Sequence, residues 1–186
     1  MIPESPPERT EHGLKGVGPG WFVLNARDAR WFDRPGRRSV SFTGRSEWEA
    51  DTFFPMLGVQ LCVLEPGEPN SLYHWETETE AFLVISGEAL LVVEGEERAL
   101  KQWDFVYLPP KTNHVIVGAG DGPCVVVAVG ARVLSVDNPD WGGYPVDETA
   151  LRHGAGVEQE TTIPEEAYAH VTPHRQPTGY QTDWLG

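Results

Sequence analysis

From Trp21 onward the chain alternates short apolar runs with turn residues. The runs cover positions 21–24, 39–42, 57–64, 80–85, 89–93, 105–108, 114–117 and 124–129. Each is rich in Val, Phe, Tyr or Leu and about as long as an ordinary strand. Their boundaries are Pro66-Gly67, Ser86-Gly87, Glu94-Gly95, Pro109-Pro110 and Gly120-Asp121-Gly122-Pro123. Closely spaced strands with no helical period between them predict an all-β antiparallel barrel or sandwich, not alternating βα units. Residues 1–20 have no periodicity, and Gly16-Val17-Gly18-Pro19-Gly20 reads as a flexible arm. The expected organisation is an arm over 1–20, a barrel over 21–132 and a C-terminal extension over 133–186 packed on the barrel or on a partner subunit. In the extension, Asp147-Glu148-Thr149-Ala150-Leu151-Arg152-His153-Gly154 has the acidic start and glycine stop of a short helix. Thr162-Ile163-Pro164-Glu165-Glu166 offers the cap, early proline and acids of a second. Trp141, Tyr144 and Trp184 are expected to anchor the intervening loops by burial.

Composition narrows the class of partner. The 14 Lys and Arg stand against 28 Asp and Glu, a net charge of −14 that repels phosphate backbones and anionic headgroups. Neither nucleic acid nor a membrane is therefore expected as a partner. The longest apolar runs, 81–85 and 125–129, fall far short of the ~20 residues of a membrane-spanning helix. The first residues lack the basic and apolar regions of a secretory signal, which points to the cytoplasm. Cys62 and Cys124 lie in apolar stretches and read as buried reduced thiols, with a cross-strand disulfide as the alternative.

Candidate chemistry gathers in two places. His74, Glu76 and Glu80 fall within seven residues, and His114 opens a later strand. Side chains alternate along a strand, so positions 74, 76 and 80 share a parity and can point to one face. Read alone, Glu76-Thr77-Glu78-Thr79-Glu80 would be a solvated acidic loop. Flanked by the two histidines it reads as a site. Two imidazoles and two carboxylates suit one divalent metal ion per chain, Mn, Fe, Ni, Cu or Zn, better than an all-oxygen calcium site. Glu76 has two readings here: a fourth ligand, or a general base beside the metal whose pKa burial raises and the cation lowers.

The stretch from Gly67 to Gly118 resembles the two sequence motifs of the cupin superfamily, as found in small single-domain type 2 cupins. The first motif contains His-x-His, then a Glu three or four residues on and a Gly six residues later; His74-Trp75-Glu76, Glu80 and Gly87 follow that spacing. The second contains Pro-x-Gly, two residues, then His; Pro109-Pro110-Lys111-Thr112-Asn113-His114 keeps the distance from proline to histidine. Fifteen residues, 88–102, separate the motifs. The departures are Glu76 for the second His, Trp103 and Lys111 for two glycines, Gly118 for the final Asn, and Gly67 one residue early. The exchange at Glu76 alters the ligand set itself and leaves the metal and the reaction open.

The resemblance implies a jelly-roll-like barrel, a homodimer, and a metal in the barrel mouth held by His74, Glu80 and His114, with Glu76 as ligand or base. It also implies a metal-dependent enzyme acting on a small oxygen-rich metabolite by dioxygenation, isomerisation or decarboxylation. Two alternatives are a non-catalytic binding or sensing cupin with a structural metal, and a metal-free sugar epimerase-like cupin using His74 as base. Phe82 shares the face of Glu80 and is the first pocket candidate. Tyr107 is the second, since its hydroxyl can serve as acid or donor in catalysis.

Overall fold

The computed structural model describes residues 1–17, 20–43, 56–132, 140–171 and 176–185. In chain order these form β1 (Glu8–Thr10), β2 (Gly13–Lys15), β3 (Trp31–Arg34), β4 (Arg37–Ser41), β5 (Met56–Leu64), β6 (Trp75–Glu76), β7 (Glu80–Ser86), β8 (Glu88–Val93), β9 (Glu96–Lys101), β10 (Phe105–Leu108), β11 (His114–Ala119), β12 (Cys124–Arg132), β13 (Gly142–Gly143), α1 (Glu148–Arg152), α2 (Pro164–Ala167) and β14 (Gln176–Thr178). The strand ladders are antiparallel throughout, as the spacing of apolar runs predicts. A large sheet runs β10-β7-β12-β5-β4-β3-β14 and a smaller one β11-β8-β9, while β6 pairs with β13. The hairpin between β8 and β9 turns on Glu94 and Gly95, both at positive φ, the two-residue geometry that matches the twist of the flanking strands.

Alternate residues of both sheets meet in one interior. Cys62 and Leu64, Phe82 and Val84, Leu91, Leu100, Val106 and Leu108, Ile116, Cys124 and Val126 form a single buried cluster. Both cysteines are free thiols, and burial pushes the Cys124 thiol up to about 11. The outer face of the large sheet is covered by Trp31 and Trp184, whose rings meet edge to face at 5.2 Å. Because β14 pairs with β3, the extension completes this sheet within its own chain. On the outer face of the smaller sheet, Val92, Val115 and Val117 pack with Tyr73, Ala150 and Ala155.

Local chemistry explains most of the helix ends. Asp147 caps α1 by accepting from the Ala150 N–H at 2.8 Å, and Gly154 supplies a positive φ just after it. At α2 the cap position is Ile163, not Thr162, and no side chain caps it. The Thr161 hydroxyl instead accepts from the Ile163 N–H. The run 21–24 is not a strand, since only Trp21 bridges, to Glu4. The expected arm holds the hairpin β1–β2, tied to the body where Arg30 N–H donates to Leu14 and Leu14 N–H to Asp28. Gly18 and Pro19 of that segment lie outside the described residues. Among the described residues no helix is long and apolar enough to cross a membrane.

Candidate metal centre

Backbone pairing brings the two histidines together. His74 and His114 exchange both amide hydrogen bonds, at 3.1 and 2.8 Å, and so sit directly opposite each other with their rings on one side. The ring centroids are 4.8 Å apart. From the large sheet, β7 sends Glu80 inward on the same alternation as Phe82 and Val84. Glu80 Oε2 then lies 3.2 Å from His114 Nε2 and 3.9 Å from His74 Nε2. One ligand atom from each of His74, Glu80 and His114 lies within 4.8 Å of the other two. Glu76 stands beside this trio, its Oε1 3.7 Å from His74 Nε2.

The imidazoles are oriented for donation. His74 Nδ1 is 2.7 Å from the Leu72 carbonyl and His114 Nδ1 is 2.9 Å from the Thr112 carbonyl. A carbonyl oxygen only accepts, so each Nδ1 carries the hydrogen, and in its neutral form each ring presents the Nε2 lone pair to the cluster. His114 Nε2 is buried, and its approach to Glu80 lacks the alignment of a hydrogen bond, which leaves it without a partner. Such an orphaned acceptor is costly unless something occupies its lone pair. A divalent ion with nitrogen and oxygen ligands at about 2.0–2.2 Å would satisfy it with little side-chain movement. Two imidazoles and one carboxylate with open positions is a donor set typical of such transition metals as iron.

The charges around this trio are unequal. Burial alone would lower the His74 pKa, but the Glu76 and Glu80 carboxylates outweigh it and raise the imidazole to about 9. Glu76 is raised, first by burial and then by the neighbouring charge of Glu80. Glu80 is lowered, because contact with His114 and the charges of both rings overcome the opposing effect of burial.

Other expected residues divide between the two faces of the sheet. Phe82 is buried, with its ring 5.6 Å from that of His114, and forms a wall of the cluster. Tyr107 is not brought there. It pairs with Ala81, so alternation sends it to the face opposite Glu80, where it is 61% exposed. Its expected part in the pocket and in catalysis fails for that reason.

Several contributors to the site lie in the extension, where no motif marked them. Tyr144 is buried with its ring 6.0 Å from His74. The Leu72 N–H donates to the Tyr168 hydroxyl, the Tyr73 N–H to the Ala155 carbonyl and the Thr77 N–H to the Trp141 carbonyl. The extension therefore fixes the segment that carries His74 and Glu76. The cluster of Trp141, Tyr144 and Tyr168 was the available signal.

Three of the motif departures fall at backbone positions under a local constraint. Trp103 and Lys111 stand where the motif has glycine, and both adopt positive φ, 74° and 68°. At Gly118 a Cβ would lie 2.2 Å from the Glu65 carbonyl oxygen, too close for the motif's asparagine.

Residues 60–130 match the family model described as the cupin domain, Cupin_2. The chain contains a cupin domain. An uncharacterized protein of Methanocaldococcus jannaschii is 28% identical over 66 residues, which cover 36% of this chain and 53% of that protein. The chain thus spans about half the length of this curated relative. A sugar phosphate isomerase of the cupin superfamily from Silicibacter pomeroyi is 28% identical with a TM-score of 0.45, over 53% of this chain and 60% of that one. A cupin 2 conserved barrel domain protein from Salinispora arenicola is 26% identical with a TM-score of 0.45, over 61% and 89%. In this cupin domain the His-x-His of the first motif is His74-Trp75-Glu76, and the trio that converges draws one histidine from each motif.

Proposed function

We propose that this cupin is a metal-dependent enzyme in which His74, Glu80 and His114 hold one divalent transition-metal ion and a small, oxygen-rich metabolite completes the coordination. The observation that carries this reading is the buried, unpartnered Nε2 of His114 facing Glu80 and His74. When bound, the ion supplies Lewis-acid or redox chemistry. The carbonyls of Leu72 and Thr112 lock both imidazoles in the donating tautomer. Phe82 excludes water from one side. Glu76, beside the trio rather than within it, is read as the proton-accepting group and not as a fourth ligand, its carboxylate taking a proton from substrate carbon or hydroxyl. Such a base suits isomerisation or decarboxylation of a hydroxy or oxo acid, and the same donor set suits dioxygenation.

Elemental analysis by plasma mass spectrometry, on protein purified without a metal affinity column, tests the reading. About one transition-metal ion per chain is expected in the wild type and none in His114→Ala. No metal in either, even after reconstitution, overturns it. A homodimer in the cytoplasm belongs to the same proposal, with the exposed Trp103, Phe105 and Tyr107 of the β10 edge as its contact. A monomer mass by light scattering counts against the dimer.

A further inference from the structure

The Leu72 carbonyl that holds His74 is itself aimed from the C-terminal extension. It belongs to the peptide joining Leu72 to Tyr73, and a trans peptide keeps its N–H and C=O on opposite sides in one plane. The Tyr73 N–H donates to the Ala155 carbonyl at 2.6 Å, so the Leu72 carbonyl points the other way, to His74 Nδ1 at 2.7 Å. One peptide unit is thereby hydrogen-bonded at both ends, which polarises it and makes its oxygen a better acceptor. The Ser71 hydroxyl also approaches Nδ1, but only to 3.5 Å. Ala155 is held in turn: it is fully buried, and its N–H donates to the Ala150 carbonyl of α1 at 2.9 Å.

Tyr168, at the end of α2, holds Leu72 from its other side. Its hydroxyl accepts from the Leu72 N–H at 3.1 Å. The Leu72 side chain is buried with Tyr144, Val157 and Ala167, and the Tyr168 ring packs against that cluster. Without the hydroxyl the amide of a buried residue loses its acceptor, and the segment must turn to find another, at the expense of the aim on His74. His114 is supported differently. The Thr112 carbonyl that holds it lies in a turn closed on itself, the Thr112 N–H and hydroxyl both donating to the Pro109 carbonyl. The extension thus orients one imidazole, and the turn of the second motif orients the other.

We propose that Tyr168 is a positioning residue of the metal centre: its hydroxyl holds Leu72 in the orientation that turns the Leu72 carbonyl onto His74 Nδ1 and the Nε2 lone pair toward the ion. The proposal rests on the metal reading given above, and it adds a hydroxyl 96 residues from Leu72 along the chain. Partners that fix the second ring nitrogen of a ligating histidine set both its orientation and its strength as a ligand.

Proton NMR of the protein loaded with cobalt(II), an ion that accepts nitrogen and oxygen ligands, tests this. Each coordinated imidazole then contributes one paramagnetically shifted, water-exchangeable Nδ1–H signal, and Phe82→Leu, beside the His114 ring, identifies the one that belongs to His114. In Tyr168→Phe the His74 signal should shift and exchange faster with water while the His114 signal stays in place. Cobalt affinity, measured by competition with a chromophoric chelator, should fall about threefold to tenfold, less than the roughly 10–100-fold cost of losing a partner that touches the ligand directly. Tyr180→Phe removes a hydroxyl that donates to the Thr182 carbonyl in a separate cluster, and should change neither signal nor affinity. A general loosening of the fold would move both signals together. Wild-type affinity, an unmoved His74 signal or equal movement of both signals in Tyr168→Phe overturns the assignment of Tyr168, as does the same change in Tyr180→Phe. Failure of the wild type to bind cobalt or to show two such signals overturns the metal reading and this proposal with it.

Discussion

The inner face of β7, β12 and β5 has two ends made by the same pleat and register. At one end Val84, Val126 and Cys62 face inward, all at 1% exposure or less, and fill the interior. Four residues along each strand the inward positions are Glu80, Gly130 and Gly58. Alternation alone decides that all six face inward; the side chains at those positions decide whether the space becomes core or site. The packed end holds the strands rigid, which lets the other end carry a carboxylate and glycines in place of packed side chains. His114 and Ile116 repeat the contrast on β11, one a candidate ligand and the other fully buried in the core.

The largest effects should come from the site end. His114→Ala and Glu80→Gln are each expected to weaken metal binding more than about 100-fold, beyond the 10–100-fold typical of losing an outer-shell partner. Glu76→Gln should keep close to the wild-type metal content and lose turnover instead. Elemental analysis of the three variants after identical dialysis separates these outcomes. If Glu76→Gln sheds metal as readily as Glu80→Gln, Glu76 is a ligand and its assignment as base is wrong.

At the packed end the order reverses. Ile116→Ala is expected to destabilise the chain by about 2–5 kcal/mol, from lost transfer energy and an incompletely filled cavity. Denaturant unfolding measures this, while metal content per folded chain stays at the wild-type level. A smaller loss, about 1 kcal/mol, is expected for Asp147→Ala, which removes the oxygen that caps α1 at Ala150. That helix packs through Ala150 in the cluster holding Tyr73, next in sequence to His74, so the same measurement asks whether stability lost there reaches the metal. Unchanged metal content would keep the two ends independent.

The contrast also accounts for how much was legible beforehand. His74, Glu80 and His114 could be placed because parity, motif spacing and strand context all agree, and Phe82 followed from Glu80 by alternation. Tyr107 could not, because its face depends on which residue of the neighbouring strand it meets, and that register is tertiary information. Strand β9 carries no apolar run, because it covers the core with little more than Leu100, the remaining residues being exposed and largely charged. β3 carries none either, Trp31 being its one fully buried residue. Tyr168 carries no motif, and its hydroxyl meets Leu72 only once α2 has packed on the segment before His74.

The smallest predicted effect has the opposite sign. Trp103 and Lys111 sit in turns at the two ends of β10, both exposed and both at positive φ. A residue with a Cβ gives up about 1–2 kcal/mol in that region, whereas glycine enters it freely. Glycine also widens the unfolded ensemble and returns about 0.4–1 kcal/mol of the gain. Lys111→Gly should therefore raise stability by about 0.5–1 kcal/mol, measured by the denaturant midpoint at unchanged slope, whereas Trp103→Gly also removes an indole of the proposed subunit contact and should lose that gain. Both turns are exposed, and no packed core is disturbed at either position. Should Trp103→Gly raise stability as much as Lys111→Gly and leave the light-scattering mass unchanged, its indole makes no subunit contact.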